Sequence, residues 1–162
     1  MSNRLFYISL FEREAPVFLR VIQAIPESKK DFRPHPRSRS CAELVALFPA
    51  EMEALISILD TGGIDWVEPG PISIAEAVER WQNAATLYLE RLRNLSDEAW
   101  EQQTGAFRVE GSGSFTLPIR DFSWWVLHDM IHHRGQLSVY LRLMGEKVPA
   151  IYGSSADEKV TV

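Results

Sequence analysis

Three serines in this chain are each followed three residues later by a glutamate: Ser9 by Glu12, Ser40 by Glu43 and Ser73 by Glu76. Each pair opens an apolar-rich stretch. This is the capping-box pattern, in which the serine hydroxyl accepts a hydrogen bond from a free backbone N–H of the first turn while the glutamate reaches back to another. The boxes predict helices over 7–24, 40–60 and 73–94. Pro16 lies inside the first and removes one backbone hydrogen bond, so that helix is expected to kink or to begin nearer the proline. The longest helical pattern runs from Ile119 to Met144 and is stopped by Gly145, with Pro149 soon after. The intervening stretches PESKKDFRPHPRSR and TGGIDWVEPGPI are rich in Pro, Gly and charge and read as connections. Ser96 of LSDEAW opens a short helical turn, and FRVEGSGSFTLP reads as a small irregular or hairpin insertion before the last helix. The expected fold class is all-α, a bundle of four long helices.

With 162 residues, 46% of them hydrophobic, the chain can bury one sizeable core, and a single domain over 1–162 is expected. Acidic residues exceed basic ones, giving a net charge of -5. That balance argues against a phosphate-neutralising surface, so no nucleic-acid partner is expected. Cys41 is the single cysteine, which excludes an intrachain disulfide and a cysteine-rich zinc module and fits a reducing compartment. It falls in the first turn of the second helix, where the dipole favours a thiolate, yet no histidine lies nearby in sequence and it reads as a packing residue. No stretch approaches the roughly 18 unbroken apolar residues of a membrane span, and MSNRLFYISLFERE becomes charged too early for a secretory signal. A cytoplasmic protein without a membrane partner is expected. Phosphate loops, dinucleotide fingerprints and Ser-His-Asp order are missing from the sequence.

On a helical wheel of the last segment, at about 100° per residue, Phe122, Val126, Met130, Leu137, Tyr140, Leu141 and Met144 form one apolar stripe. His133 and Asp129 fall on the same stripe, as polar groups at core positions. Four residues apart, they stand one turn from each other on one face and suit a shared proton or a shared ion. Two readings are open: a satisfied buried hydrogen-bonded pair, or two ligands of a divalent metal such as Zn, Ni, Fe or Mn whose third ligand comes from another helix. His128 and His132 repeat the spacing but point away from the stripe, as an exposed or interface pair or as a second-choice ligand pair. Gln136 is a candidate hydrogen-bond partner for a ligating ring, whereas Arg134 and Arg142 read as surface or interface groups. The opposite side carries Trp124, Leu127, Ile131 and Val139 around Gly135, a face that suits a homodimer interface or cover by the hairpin and C-terminal tail. His35, between two prolines, reads as a loop residue, and Trp66, Trp81, Trp100, Trp124 and Trp125 as packing anchors.

The segment HDMIHHRGQLSVYLRLMGEKVPAIYGSSADE at 128–158, and above all HHRGQ followed by YLR and a glycine, resembles the last helix and tail of the DinB/YfiT-like superfamily of metalloenzymes. The likeness extends through EREAP at 12–16, RPHPRSRS at 33–40 and AELVALFPAE at 42–51. It implies an antiparallel four-helix bundle, often dimeric, in which two histidines of the last helix and one of the second hold a divalent ion. Carried over through HHRGQ, the last-helix positions are Asp129 and His133, with aspartate in place of a common histidine. The helix-two histidine position is Leu47, which cannot bind metal; Glu51, one turn further on, is the residue able to substitute.

The resemblance thus implies a divalent-metal-dependent enzyme in which an ion held by Asp129, His133 and Glu51 lowers the proton affinity of bound water or thiol. By likeness to characterised relatives, the first expectation is a transferase using a low-molecular-weight thiol, with hydrolysis indistinguishable at this stage. The alternative is a non-catalytic, metal-free, stress-associated dimeric bundle that binds a small ligand or protein.

Overall fold

The computed structural model describes residues 1–160. Four long helices, α1 (Asn3–Gln23), α2 (Cys41–Thr61), α3 (Ile74–Asn94) and α5 (Ile119–Leu143), are joined by a six-residue helix α4 (Asp97–Gln102) and three strands, β1 (Gly63–Trp66), β2 (Thr104–Val109) and β3 (Gly113–Pro118).

The serine boxes mark two of the long helices as expected. Ser40 and Glu43 form the reciprocal box at the start of α2, and the Ser73 hydroxyl accepts from the Glu76 N–H at the start of α3. The first box does not operate. Ser2 already caps α1 by accepting from the Leu5 N–H, and the helix runs through Ser9 and Pro16 as one element. At the other end of the chain, Gly145 adopts φ 76°, a left-handed conformation that glycine enters without strain. Gly145 N–H donates to the Arg142 carbonyl and Glu146 N–H to the Leu141 carbonyl, the paired closure of a Schellman motif.

Contacts between helices fix their directions. Near the start of α1, Arg4 donates to the Leu92 carbonyl at the end of α3, while Trp81 donates to Ala15, so these helices run oppositely. Tyr7 reaches Ser123 and Arg134 reaches Glu14, so α1 and α5 run together. Arg80 pairs with Glu53 and Arg91 with Asp60, so α2 and α3 also run together. The bundle is therefore two parallel pairs set antiparallel to each other. Aromatic side chains fill the centre: Phe11, Phe18, Phe48, Trp81 and Tyr88 are at most 1% exposed.

A parallel α2/α3 pair requires the chain to travel back along the bundle between them, and β1 lies on that return. It pairs in parallel with β2, which pairs antiparallel with β3, in the order β1-β2-β3. The expected hairpin is thus present, but the strand over Gly63–Trp66 stands where the sequence suggested only a connection. Gly105 of β2 lies so close to α2 that a Cβ there would meet Ile58 Cγ2 at 2.3 Å. This contact seats the sheet on the C-terminal half of α2, beside the first turns of α5.

Candidate metal centre and its cavity

Between α2, α5 and the sheet lies a cavity of about 660 Å³. Glu51 reaches it from α2, and Asp129 and His133 from α5; one potential ligand atom from each lies within 4.8 Å of the other two. Among the described residues, no other group of three histidine, cysteine or acidic side chains comes together in this way. Helical periodicity places the α5 pair: one turn apart on the inner face, His133 Nε2 is 3.3 Å from Asp129 Oδ2. Gln136 orients the ring. Its Oε1 lies 2.9 Å from His133 Nδ1, and because a carboxamide oxygen only accepts, Nδ1 carries the proton and Nε2 is the atom presented to the carboxylates.

Glu51 is the unusual member. It is only 7% exposed, and its Oε2 has no hydrogen-bond partner. Burial, and next the negative charge and hydrogen bonding of Asp129, push its carboxyl well above the usual carboxylate range. A buried, partnerless acceptor is costly unless something satisfies it.

The arrangement fits a divalent ion. Ligand atoms about 2.0–2.2 Å from a common centre sit roughly 3–4.4 Å apart, so the group needs only a small contraction. One imidazole nitrogen with carboxylate oxygens suits Zn, Fe, Mn or Ni. Leu47, 3% exposed, lines the same cavity as an apolar neighbour of the group.

Other residues singled out by the sequence lie elsewhere. His128 is exposed and packs its ring 5.9 Å from Trp124, outside the group. His132 stands at the cavity edge, its ring 5.3 Å from that of His133. His35 is an exposed loop residue whose Nδ1 accepts from the Arg37 N–H. Cys41 is fully buried, and desolvation raises its thiol to about 11, the opposite of an activated nucleophile. The outer face of α5 is narrower than expected: Leu127 is in the core, and Trp124 is partly covered by Phe6 and bonds Asn3, leaving Val139 and Leu143 each 58% exposed.

Arg134 corrects its assignment to the surface or an interface. It is 1% exposed, donates to Glu14 Oε2 and to the Tyr152 hydroxyl, and lies 4.4 Å over the Phe18 ring. The C-terminal tail and α1 bury it, and neither is visible in the periodicity of α5. Trp66 and Trp125, together with Phe107, wall the cavity rather than the core, whereas Trp81 and Trp100 are the buried anchors expected. No local signal marks this division, because it depends on where the sheet lands.

These features define a four-helix bundle with a carboxylate and imidazole group able to hold metal inside an aromatic-walled cavity. The DinB family model matches residues 108–159, which contain Asp129, His133 and Gln136. Among solved structures, the chain is similar to a DinB-like protein of Bacillus subtilis, with 18% identity and a TM-score of 0.68, covering 90% of this chain and 96% of that one. A DinB-like protein of Bacillus cereus gives 18% identity and 0.70 over 90% and 95%. A protein assigned to the DinB family from Exiguobacterium sibiricum gives 21% and 0.68 over 93% and 97%. At these identities the structural likeness shows the fold. No curated protein matches the sequence. The family match covers about the last third of the chain, and the fold shared with these DinB-like structures covers nearly all of it. Among the described residues, no helix is long and apolar enough to cross a membrane.

Proposed function

We propose that this protein is a divalent-metal-dependent enzyme with Glu51, Asp129 and His133 as its metal ligands, working as a transferase that uses a low-molecular-weight thiol. One observation carries the reading: the buried, partnerless Oε2 of Glu51 faces a cavity in which Asp129 and His133 offer the complementary ligands. When bound, a divalent ion supplies Lewis-acid activation and lowers the proton affinity of the thiol or water it holds. The chain's own residues prepare the place. Gln136 holds the imidazole with Nε2 inward. Leu47 and Ala54 limit water on the α2 side, where lower polarity strengthens the field of the carboxylates. Thiol use comes from the likeness to the superfamily's transferases.

Metal analysis of protein purified without a histidine tag tests the ligand set. Near-stoichiometric Zn, Fe, Mn or Ni in the wild type, lost in Asp129→Ala, His133→Ala and Glu51→Gln, supports it. Failure to retain any of these ions after reconstitution defeats it and favours the metal-free binding bundle. Thiol consumption against a panel of electrophiles then separates transfer from hydrolysis.

A further inference from the structure

The cavity has an outer zone that a metal ion does not account for. Trp66 of β1, Phe107 of β2 and Trp125 of α5 line it. Trp66 stacks on Phe107 at 5.7 Å with 28° between planes, and Trp125 meets the same ring at 5.7 Å and 80°, so aromatic surface is presented in more than one direction. Trp125 remains 45% exposed, with ring surface still free for contact.

The charges of this zone are unbalanced. A divalent ion matches Glu51 and Asp129. Arg39, the one lining side chain with a permanent positive charge, pairs with Glu68 at 2.5 Å. Glu110 also lines the cavity, and no ion pair or hydrogen bond of its carboxylate is found among the described residues. Glu110 is exposed at the rim of the same cavity, and aromatic faces in a cavity with a carboxylate at its rim attract a cation, because the ring quadrupole is negative over its face. An anionic ligand would instead have to separate Arg39 from Glu68.

We propose that the outer zone binds an organic cation: a molecule with an ammonium head held by Trp125, Phe107 and Glu110 and an apolar body along Trp66. A volume of about 660 Å³ accepts a ligand of that kind. This names a substrate class for the metal-dependent reading, and the binding itself does not require the ion.

Isothermal titration calorimetry with benzyltrimethylammonium, benzyl alcohol and 3-phenylpropanoate tests it, on chelator-stripped protein, Zn-loaded protein and Asp129→Ala. The cation is expected to bind roughly tenfold or more tightly than either other probe in all three forms. Trp125→Leu is expected to weaken it about tenfold and Glu110→Gln about threefold, with unchanged melting temperatures. Equal or tighter binding of the carboxylate, or no preference for the cation, overturns the proposal. Retention of the preference in Asp129→Ala separates its fate from that of the metal site, whose own failure would appear as absence of bound Zn.

Discussion

Leu47 and Glu51 stand one helical turn apart on α2 and line the same cavity, but only Glu51 carries a ligand atom that meets Asp129 and His133. A carboxylate in that place is a burden to the empty protein. Its carboxyl is raised by burial, so the protonated form stabilises the fold fully below about pH 4.5, the ordinary glutamate value, and that contribution is lost as pH rises through the elevated folded value. Glu51→Gln should therefore melt higher than the wild type at neutral pH in chelator, by a few degrees, since about 1 kcal/mol corresponds to roughly 2–4 °C for a chain of this size. The difference should close toward pH 4. Adding metal at about 100 times Kd should reverse the order, stabilising the wild type alone by about 2.7 kcal/mol. Differential scanning calorimetry across pH, with and without metal, reads both effects.

Leu47→His places an imidazole where the superfamily resemblance puts one, beside a cavity that already holds three ligand groups. Metal affinity should rise at least roughly tenfold, measured by competition with a chromophoric chelator, because a fourth donor completes a tetrahedral set. The metal-free variant should lose about 2–3 kcal/mol from the lost apolar burial. Unchanged affinity would mean that this side chain cannot turn toward the group.

The helix starts at Ser40 and Ser73 were legible because a cap is a local event, settled within four residues. Ser9 misled because Ser2 had already opened the helix, and a mid-helix serine satisfies the same spacing. Asp129 and His133 were legible because a helix with a buried face imposes its period, which puts both residues on the inner stripe. The aromatic wall was not legible. It depends on β1 pairing with β2, with Gly63 opposite Ala106, and on Gly105 admitting Ile58, contacts between residues distant in sequence. Long-range pairing leaves little trace in a four-residue strand whose burial does not alternate clearly.

Cys41 offers a check on packing at the start of α2. Fully buried and raised to about 11, its thiol should react with a disulfide reagent at pH 8 at least roughly a hundredfold more slowly in the native protein than in urea. Stability assisted by its protonated form should fade as pH climbs from about 9 toward 11. Rapid native-state labelling would show that this end of the bundle opens readily.

Arg134 ties α5 to α1 and the tail through a charge that burial has made indispensable. Its Nη1 lies 2.5 Å from Glu14 Oε2 and its Nη2 2.5 Å from the Tyr152 hydroxyl, while the Glu14 and Arg134 side chains are 7% and 1% exposed. Removing one partner leaves the other charged and dry, which costs about 3–5 kcal/mol, whereas removing both together is often close to neutral. Arg134→Met should thus lower the melting temperature on the order of 10 °C, and Glu14→Leu with Arg134→Met should recover most of the loss. Tyr152→Phe deletes two hydrogen bonds of the network, one accepted from Arg134 and one donated to Glu14, and should cost about 1–2 kcal/mol. Limited proteolysis distinguishes the tail's share from the bundle's: in Tyr152→Phe, cleavage after Lys147 should accelerate well beyond what a fall of a few degrees in melting temperature accounts for. If the double variant is as unstable as Arg134→Met alone, the destabilisation comes from lost guanidinium packing on Phe18 rather than from a stranded carboxylate.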